Sequence, residues 1–191
     1  MNGANKKGAV TLEACVSVLL FLVLMLLLSS VFVIFMAQNA TAHALLQTSE
    51  SLSLDVHSTE KFYVDGIGTL EQKFGELINK LCGSAKKNPY FVSNDKWYTK
   101  GNAEVASAAK NRFIGFITGG DSDGIAATDA ADKYLKNLNI VNGIEGVNFS
   151  SSFVAQDTLY VVLEYELEYD FNIWNLGTIE VKQRTCSKLW K

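Results

Sequence analysis

Five groups of residues in this chain carry side chains with reactive or ligating chemistry. They are the acids Glu164, Glu166, Glu168 and Asp170, the run Asp121-Ser122-Asp123-Gly124, the histidines His43 and His57, the cysteines Cys15, Cys82 and Cys186, and Glu13. Carboxylates at alternate positions share one face of a strand, where a pair can act as general acid and base or hold a cation. The next segment carries Lys182, Arg184 and Lys188 with the same alternation, so the acids read as a solvated, salt-bridged strand face. Asp121 to Gly124 has a fragment of calcium-loop spacing but lacks a third acidic ligand and the distal glutamate, and it reads as a turn and helix cap. The histidines have no ligand cluster near them in sequence, and no serine-histidine-acid set, phosphate loop or zinc spacing occurs. These residues predict no catalytic group, no metal, no cofactor and no enzymatic turnover.

Glu13 is different, because it stands at the head of a 24-residue run, Ala14 to Ala37, in which only Ser17, Ser29 and Ser30 are polar. At ~1.5 Å per residue that run is long enough for a hydrocarbon core of ~30 Å, and a carboxylate at its edge needs a partner or a route to the headgroups. Lys6 and Lys7 precede the run and no formal charge follows Glu13 until Glu50. The positive-inside rule then puts the N-terminus in the cytoplasm and the rest of the chain outside, giving a single-pass protein of the cell membrane in contact with lipid. A cleaved signal peptide is the competing reading, with cuts after Ala42 or Ala44, but the apolar run is too long for one. Beyond the run the composition is that of a globular domain, with one proline and no repeat in the chain. Acids exceed bases in it (the chain's 20 acids less Glu13, against its 17 bases less Lys6 and Lys7), so no nucleic-acid partner is expected.

The segment Lys6-Lys7-Gly8-Ala9-Val10-Thr11-Leu12-Glu13, followed directly by the apolar run, resembles the class III leader of type IV pilin-like proteins. The resemblance implies cleavage by a prepilin peptidase between Gly8 and Ala9, with Glu13 fifth in the mature chain as an assembly determinant. The wording KKGAVTLEA looks most like the TadE/TadG branch, the minor pseudopilins of tight-adherence (Flp) pilus systems. The end of the chain, Gly177-Thr178-Ile179 through Gln183-Arg184-Thr185-Cys186 to Leu189-Trp190, is similar to TadE-like ectodomains. Ala9 replaces the phenylalanine that commonly begins major pilins, and the outer domain is long, which together point to a minor subunit. The implied partners are prepilin peptidase, other pilin or pseudopilin subunits and the inner assembly machinery. An anchored adhesion or binding domain, and a pseudopilin of a type II secretion or competence system, are the alternatives.

The elements that would position these residues follow from periodicity. The chain divides into a leader (1–8), a transmembrane and extended helix (9–55) and an extracellular α+β domain (56–191). Helical spacing marks Thr69 to Cys82, Glu104 to Thr118 and Ile125 to Leu138, with helices packed on a C-terminal antiparallel sheet. Leu159 to Phe171 and Ile179 to Leu189 alternate as strands of a hairpin, and Val147 to Val154 is expected as a third strand. Pairing 171 with 177 sets Glu166 opposite Lys182 and Glu164 opposite Arg184, at the cost of Glu168 opposite Glu180. Cys15 reads as an apolar filler in the helix, while Cys82 and Cys186 are either a disulfide joining the helix layer to the sheet or two buried thiols.

Overall fold

The computed structural model describes residues 3–64, 96–118, 124–169 and 177–190. Its first element, α1 (Gly3–Val64), is a single helix of 62 residues, ~93 Å long at the usual rise. No glycine or proline interrupts the sequence from Ala9 to Val64, so nothing in it breaks the backbone ladder. The helix therefore runs past the expected end at residue 55, and it begins inside the expected leader, with Gly8 and Ala9 helical.

Along its length α1 has two environments. From Val10 to Met36 large apolar side chains are exposed in every direction, Leu12 at 70% and Phe32 at 67%, while from Ala37 onward one stripe turns inward. That stripe is Ala37, Thr41, Ala44 and Leu45, Thr48, Leu52 and Val56, at the three- and four-residue spacing that keeps one helix face together. The first part is long and apolar enough to cross a membrane. The second is one wall of the domain's core.

The other helices are α2 (Trp97–Lys100), α3 (Asn102–Ile117) and α4 (Gly124–Asn137). Helix α3 buries Val105, Ala109, Phe113 and Ile114, and it stops at Thr118, whose hydroxyl donates to the Ile114 carbonyl. Helix α4 buries Ala127, Ala131 and Leu135 at every fourth position, the small residues permitting close approach. Both lie where Glu104–Thr118 and Ile125–Leu138 were predicted. The helix expected over Thr69–Cys82 lies outside the described residues.

Three antiparallel strands follow in sheet order β1 (Phe153–Ala155), β2 (Thr158–Glu168) and β3 (Thr178–Lys188). Gln156 and Asp157 join the first two with φ of 48° and 60°, the left-handed pair that a two-residue hairpin requires. Leu159, Val161, Leu163, Tyr165 and Leu167 point into the core, and Glu166 and Glu168 point out, as the alternation predicts. The α+β architecture holds, with helices on one face of a small antiparallel sheet.

Two expectations about the sheet are corrected. The third strand is only three residues long, because the chain turns at Phe149–Ser152 and the Ser152 hydroxyl bonds both the N–H and the carbonyl of Val162, taking the place of a backbone partner. The hairpin register is also displaced by two residues. Glu164 faces Lys182, Val162 faces Arg184 and Glu166 faces Glu180. A shift of two keeps every side chain on its face, so core burial cannot distinguish the registers. The observed one adds a contact that charge pairing overlooks: Arg184 lies 4.4 Å from the centre of the Tyr160 ring, which stacks on Phe153 at 4.8 Å.

The division of α1 has a measurable consequence. Leu52→Ala, at a fully buried position, is expected to destabilise the domain by about 2–4 kcal/mol, and Leu20→Ala, in the exposed run, by less than about 0.5 kcal/mol. Denaturant unfolding of the detergent-solubilised chain, followed by the tryptophan signal, compares the two.

Candidate functional site

The site is built along α1. At its start, Glu13 lies on an exposed surface between Leu12 and Val16, its backbone carbonyl accepting from the Ser17 hydroxyl at 2.9 Å. Among the described residues its carboxylate has no hydrogen-bond or ion-pair partner. A lone carboxylate among exposed leucines and valines is stable in water, whereas in a hydrocarbon setting it needs a cation from elsewhere. Gly8, five residues earlier, is the weakest helix former in this stretch, by about 1 kcal/mol against alanine, and so the point at which the helix opens most easily.

Where α1 enters the domain, hydroxyl and amide groups replace leucines. Thr41 Oγ1 donates to the Ala37 carbonyl at 2.8 Å and lies 2.9 Å from the Tyr165 hydroxyl. Gln183 Nε2 on β3 donates to the Gln38 carbonyl at 3.0 Å and to Tyr165 Oη at 3.3 Å. Further along, Ser187 donates to the Ser49 carbonyl at 2.8 Å, Ser53 to the Lys188 carbonyl, and His57 Nδ1 to the Trp190 carbonyl at 3.3 Å. The helix and the segment 183–190 are thus joined at four successive levels, two through side chains of β3 and two through Ser53 and His57 of the helix, and small serines and threonines let the sheet approach it closely. Burial holds the Tyr165 hydroxyl above the ordinary tyrosine range, against the opposing pull of Thr41.

An ion pair fixes the opposite side of the helix. Arg112 of α3 is only 4% exposed and donates to Asp55 and, at 2.8 Å, to the Ser51 hydroxyl. Burial raises the Asp55 carboxyl despite the neighbouring guanidinium, as expected where desolvation outweighs attraction. Glu60, one turn beyond, takes bonds from Tyr98 and from Lys96 Nζ, and burial followed by that glutamate pushes the Tyr98 hydroxyl well above its ordinary range. Neither Arg112–Asp55 nor the Thr41–Tyr165–Gln183 group was marked by the sequence. Their only signal there is the run of hydroxylated residues at Thr41, Thr48, Ser49 and Ser53 on the buried stripe.

The remaining predicted residues are placed as follows. Glu164 forms a salt bridge with Lys182 at 2.6 Å and accepts from Ser151, and those two contacts hold its carboxyl below the usual range. Glu166 accepts from Thr178. This is the solvated face that the alternation predicts. His43 lines a shallow cleft of about 210 Å³ with Ala40, Gln47, Phe116, Ile117 and Tyr134. Among the described residues no cluster of histidine, cysteine and acid could hold a metal, and Asp121 and Asp123 lie outside them. Cys186 is an exposed free thiol on the outward face of β3, not a buried one, and Cys82 lies outside the described residues. No family model, curated protein or solved structure matches the chain.

Two measurements check this account of the helix mounting. Arg112→Ala takes the guanidinium from a half-buried carboxylate and is expected to cost about 2 kcal/mol, read from denaturant unfolding, with Asp55→Ala recovering part of the loss. A raised tyrosine pKa contributes stability that is complete below the unfolded value of ~10 and disappears as pH rises through the folded value. Tyr165→Phe is therefore expected to flatten the alkaline fall in stability and to remove one late-titrating tyrosine from the ultraviolet pH titration.

Proposed function

We propose that this protein is a membrane-anchored minor pilin-like subunit of the TadE type, acting in assembly of a tight-adherence pilus. It is made as a precursor, cut after Gly8 by a prepilin peptidase, and works by packing against other subunits. The observation that carries the reading is the form of α1. One helix begins with a leader-like sequence and a single carboxylate, continues as a membrane-length apolar rod, and ends as a structural wall of the head. An anchor that merely held a binding domain at a surface needs no rigid connection to that domain. A subunit that must transmit force between membrane and head does need one, and the hydrogen bonds from β3 together with Arg112–Asp55 supply it.

Glu13 has its role at the same helix. Cleavage at Gly8 creates a charged amine on Ala9, and the Glu13 carboxylate, about one turn away along the axis, is placed to neutralise the amine of a neighbouring subunit in a bundle of such helices. In the bilayer the pair removes two charges from an apolar medium, which favours association over isolation. The outer location of the head follows from Lys6 and Lys7 on the opposite side of the run.

Mass spectrometry of the mature N-terminus, from membranes with and without an active prepilin peptidase, tests the reading. The expected first residue is Ala9, only with the peptidase present. A chain beginning at Met1 in both samples, or at His43 or Leu45, contradicts it. Glu13→Ala is expected to be cleaved normally and to fall at least tenfold in the sheared pilus fraction.

A further inference from the structure

The hydrogen bonds on the far side of β2 show which backbone groups lie on the open edge of the sheet. The backbone of Glu164 bonds Asn148 in both directions, Val162 bonds the Ser152 hydroxyl, the Glu166 carbonyl accepts from Val141, and the Glu168 N–H donates to Asn139. Even-numbered residues of β2 therefore turn their backbone groups away from β3, and odd-numbered ones turn them toward it. Their partners Ile179, Val181, Gln183, Thr185 and Ser187 complete that ladder. The N–H and C=O of Glu180, Lys182, Arg184 and Cys186 are then left on the free edge of β3, and among the described residues nothing bonds them. Helix α1 lies beneath the sheet and reaches this edge at its far end, where Ser53 donates to the Lys188 carbonyl.

We propose that this edge receives an extended acidic segment of another protein as a fourth, antiparallel strand. An edge of 11 residues without bulge or proline is a template for pairing, which most sheets cover or interrupt. Its side chains select what pairs. On the outward row Arg184 lies over the Tyr160 ring and Lys188 near Trp190, and among the described residues neither has a carboxylate partner. Lys182 adds a positive charge shared with Glu164, and Glu180 stands at the start of the row. A strand with carboxylates opposite Arg184 and Lys182 and a cation opposite Glu180 is attracted, whereas an uncharged or basic strand is not. On the inward row Ile179 and Val181 are only partly buried, unlike their β2 partners Leu167 and Tyr165, so apolar side chains at alternate positions of the added strand extend the core. A second copy of β3 fits poorly as the occupant. Gln183 bonds near Gln38, Ser187 near Ser49 and Trp190 near His57, so β3 runs in the direction of α1. An antiparallel pair of such strands points the two apolar rods in opposite directions, which two copies anchored alike in one membrane cannot do.

The test uses the full-length chain in detergent and the capped peptide Thr-Glu-Val-Glu-Val-Lys-Thr, whose charged positions then face Arg184, Lys182 and Glu180. Amide exchange followed by NMR reads the edge directly. In the free protein Val181, Gln183 and Thr185 are expected to exchange slowly and Glu180, Lys182 and Arg184 fast, and saturating peptide to slow the latter by at least about tenfold. Methylating the peptide nitrogens at the charged positions removes the donors to β3, and is expected to weaken binding, read by fluorescence anisotropy, by at least about tenfold. Lys182→Glu with Arg184→Glu is expected to lose the acidic peptide and to bind Thr-Lys-Val-Lys-Val-Lys-Thr instead, which separates lost pairing from lost folding. Absence of saturable binding, indifference to nitrogen methylation or charge reversal, or unchanged exchange at 180, 182 and 184 overturns the inference. Protection of those amides that rises with protein concentration alone gives the edge to a second copy and overturns it as well. Neither readout involves Gly8 or Glu13, so edge pairing can fail while the pilin-like reading stands, and the reverse.

Discussion

A single unbroken helix carries two different surfaces, one long and apolar enough to cross a membrane and one built into the domain core, and the rest of the molecule is arranged around that constraint. From Ala14 to Met36 its exposed surface is apolar apart from serines, as a membrane-crossing segment would need. From Ala37 to Val56 the same backbone presents a narrow stripe, where large and small apolar residues alternate with threonine and serine. The change occurs over one turn with no break in the backbone ladder. A glycine or proline at that junction would give a hinge, and neither occurs there.

Continuity alone would leave the head free to rotate about the helix, because an apolar stripe constrains azimuth only loosely. The polar contacts are directional and fix it. Thr41, Gln38 and Ser49 meet side chains from β2 and β3, and Asp55 meets Arg112 from α3 on the other side. The half-buried ion pair is a poor source of net stability, since burial raises the Asp55 carboxyl even beside a guanidinium. Its value is that a helix rotated by one position leaves both charges unpaired. Alternation then does the remaining work, placing Leu163, Tyr165 and Leu167 inward and the charged rows outward.

Much of this was legible in the residues, and the differences have identifiable causes. The apolar run, the helices around Val105–Phe113 and Ala127–Leu135, and the inward and outward faces of β2 and β3 are all consequences of periodicity, which the sequence displays directly. Charge pairing alone favours a register two residues away, whereas Arg184 is held by the Tyr160 and Phe153 rings and faces Val162. The alternation of Val147–Val154 suggests a longer third strand than forms, because the segment contains Ser150, Ser151 and Ser152, and a serine that bonds Val162 through its hydroxyl ends the regular ladder. The mounting contacts were invisible because they join residues distant in sequence, 57 positions apart for Arg112–Asp55 and 124 for Thr41–Tyr165, and no local pattern distinguishes a threonine that bonds a distant tyrosine from one that bonds its own helix. For the candidate site, the structure adds to the leader-like resemblance of Gly8 and Glu13 that both residues belong to one helix with the domain.

The native thiols offer the most direct test of one helix in two solvents, because Cys15 lies in the apolar rod and Cys186 on the outward face of the head. In intact cells producing the full chain with Cys82→Ser, a membrane-impermeant maleimide should label Cys186 and leave Cys15 unmodified until detergent is added. Labelling of Cys15 from outside, or a Cys186 that reacts only after the membrane is opened, would contradict the account.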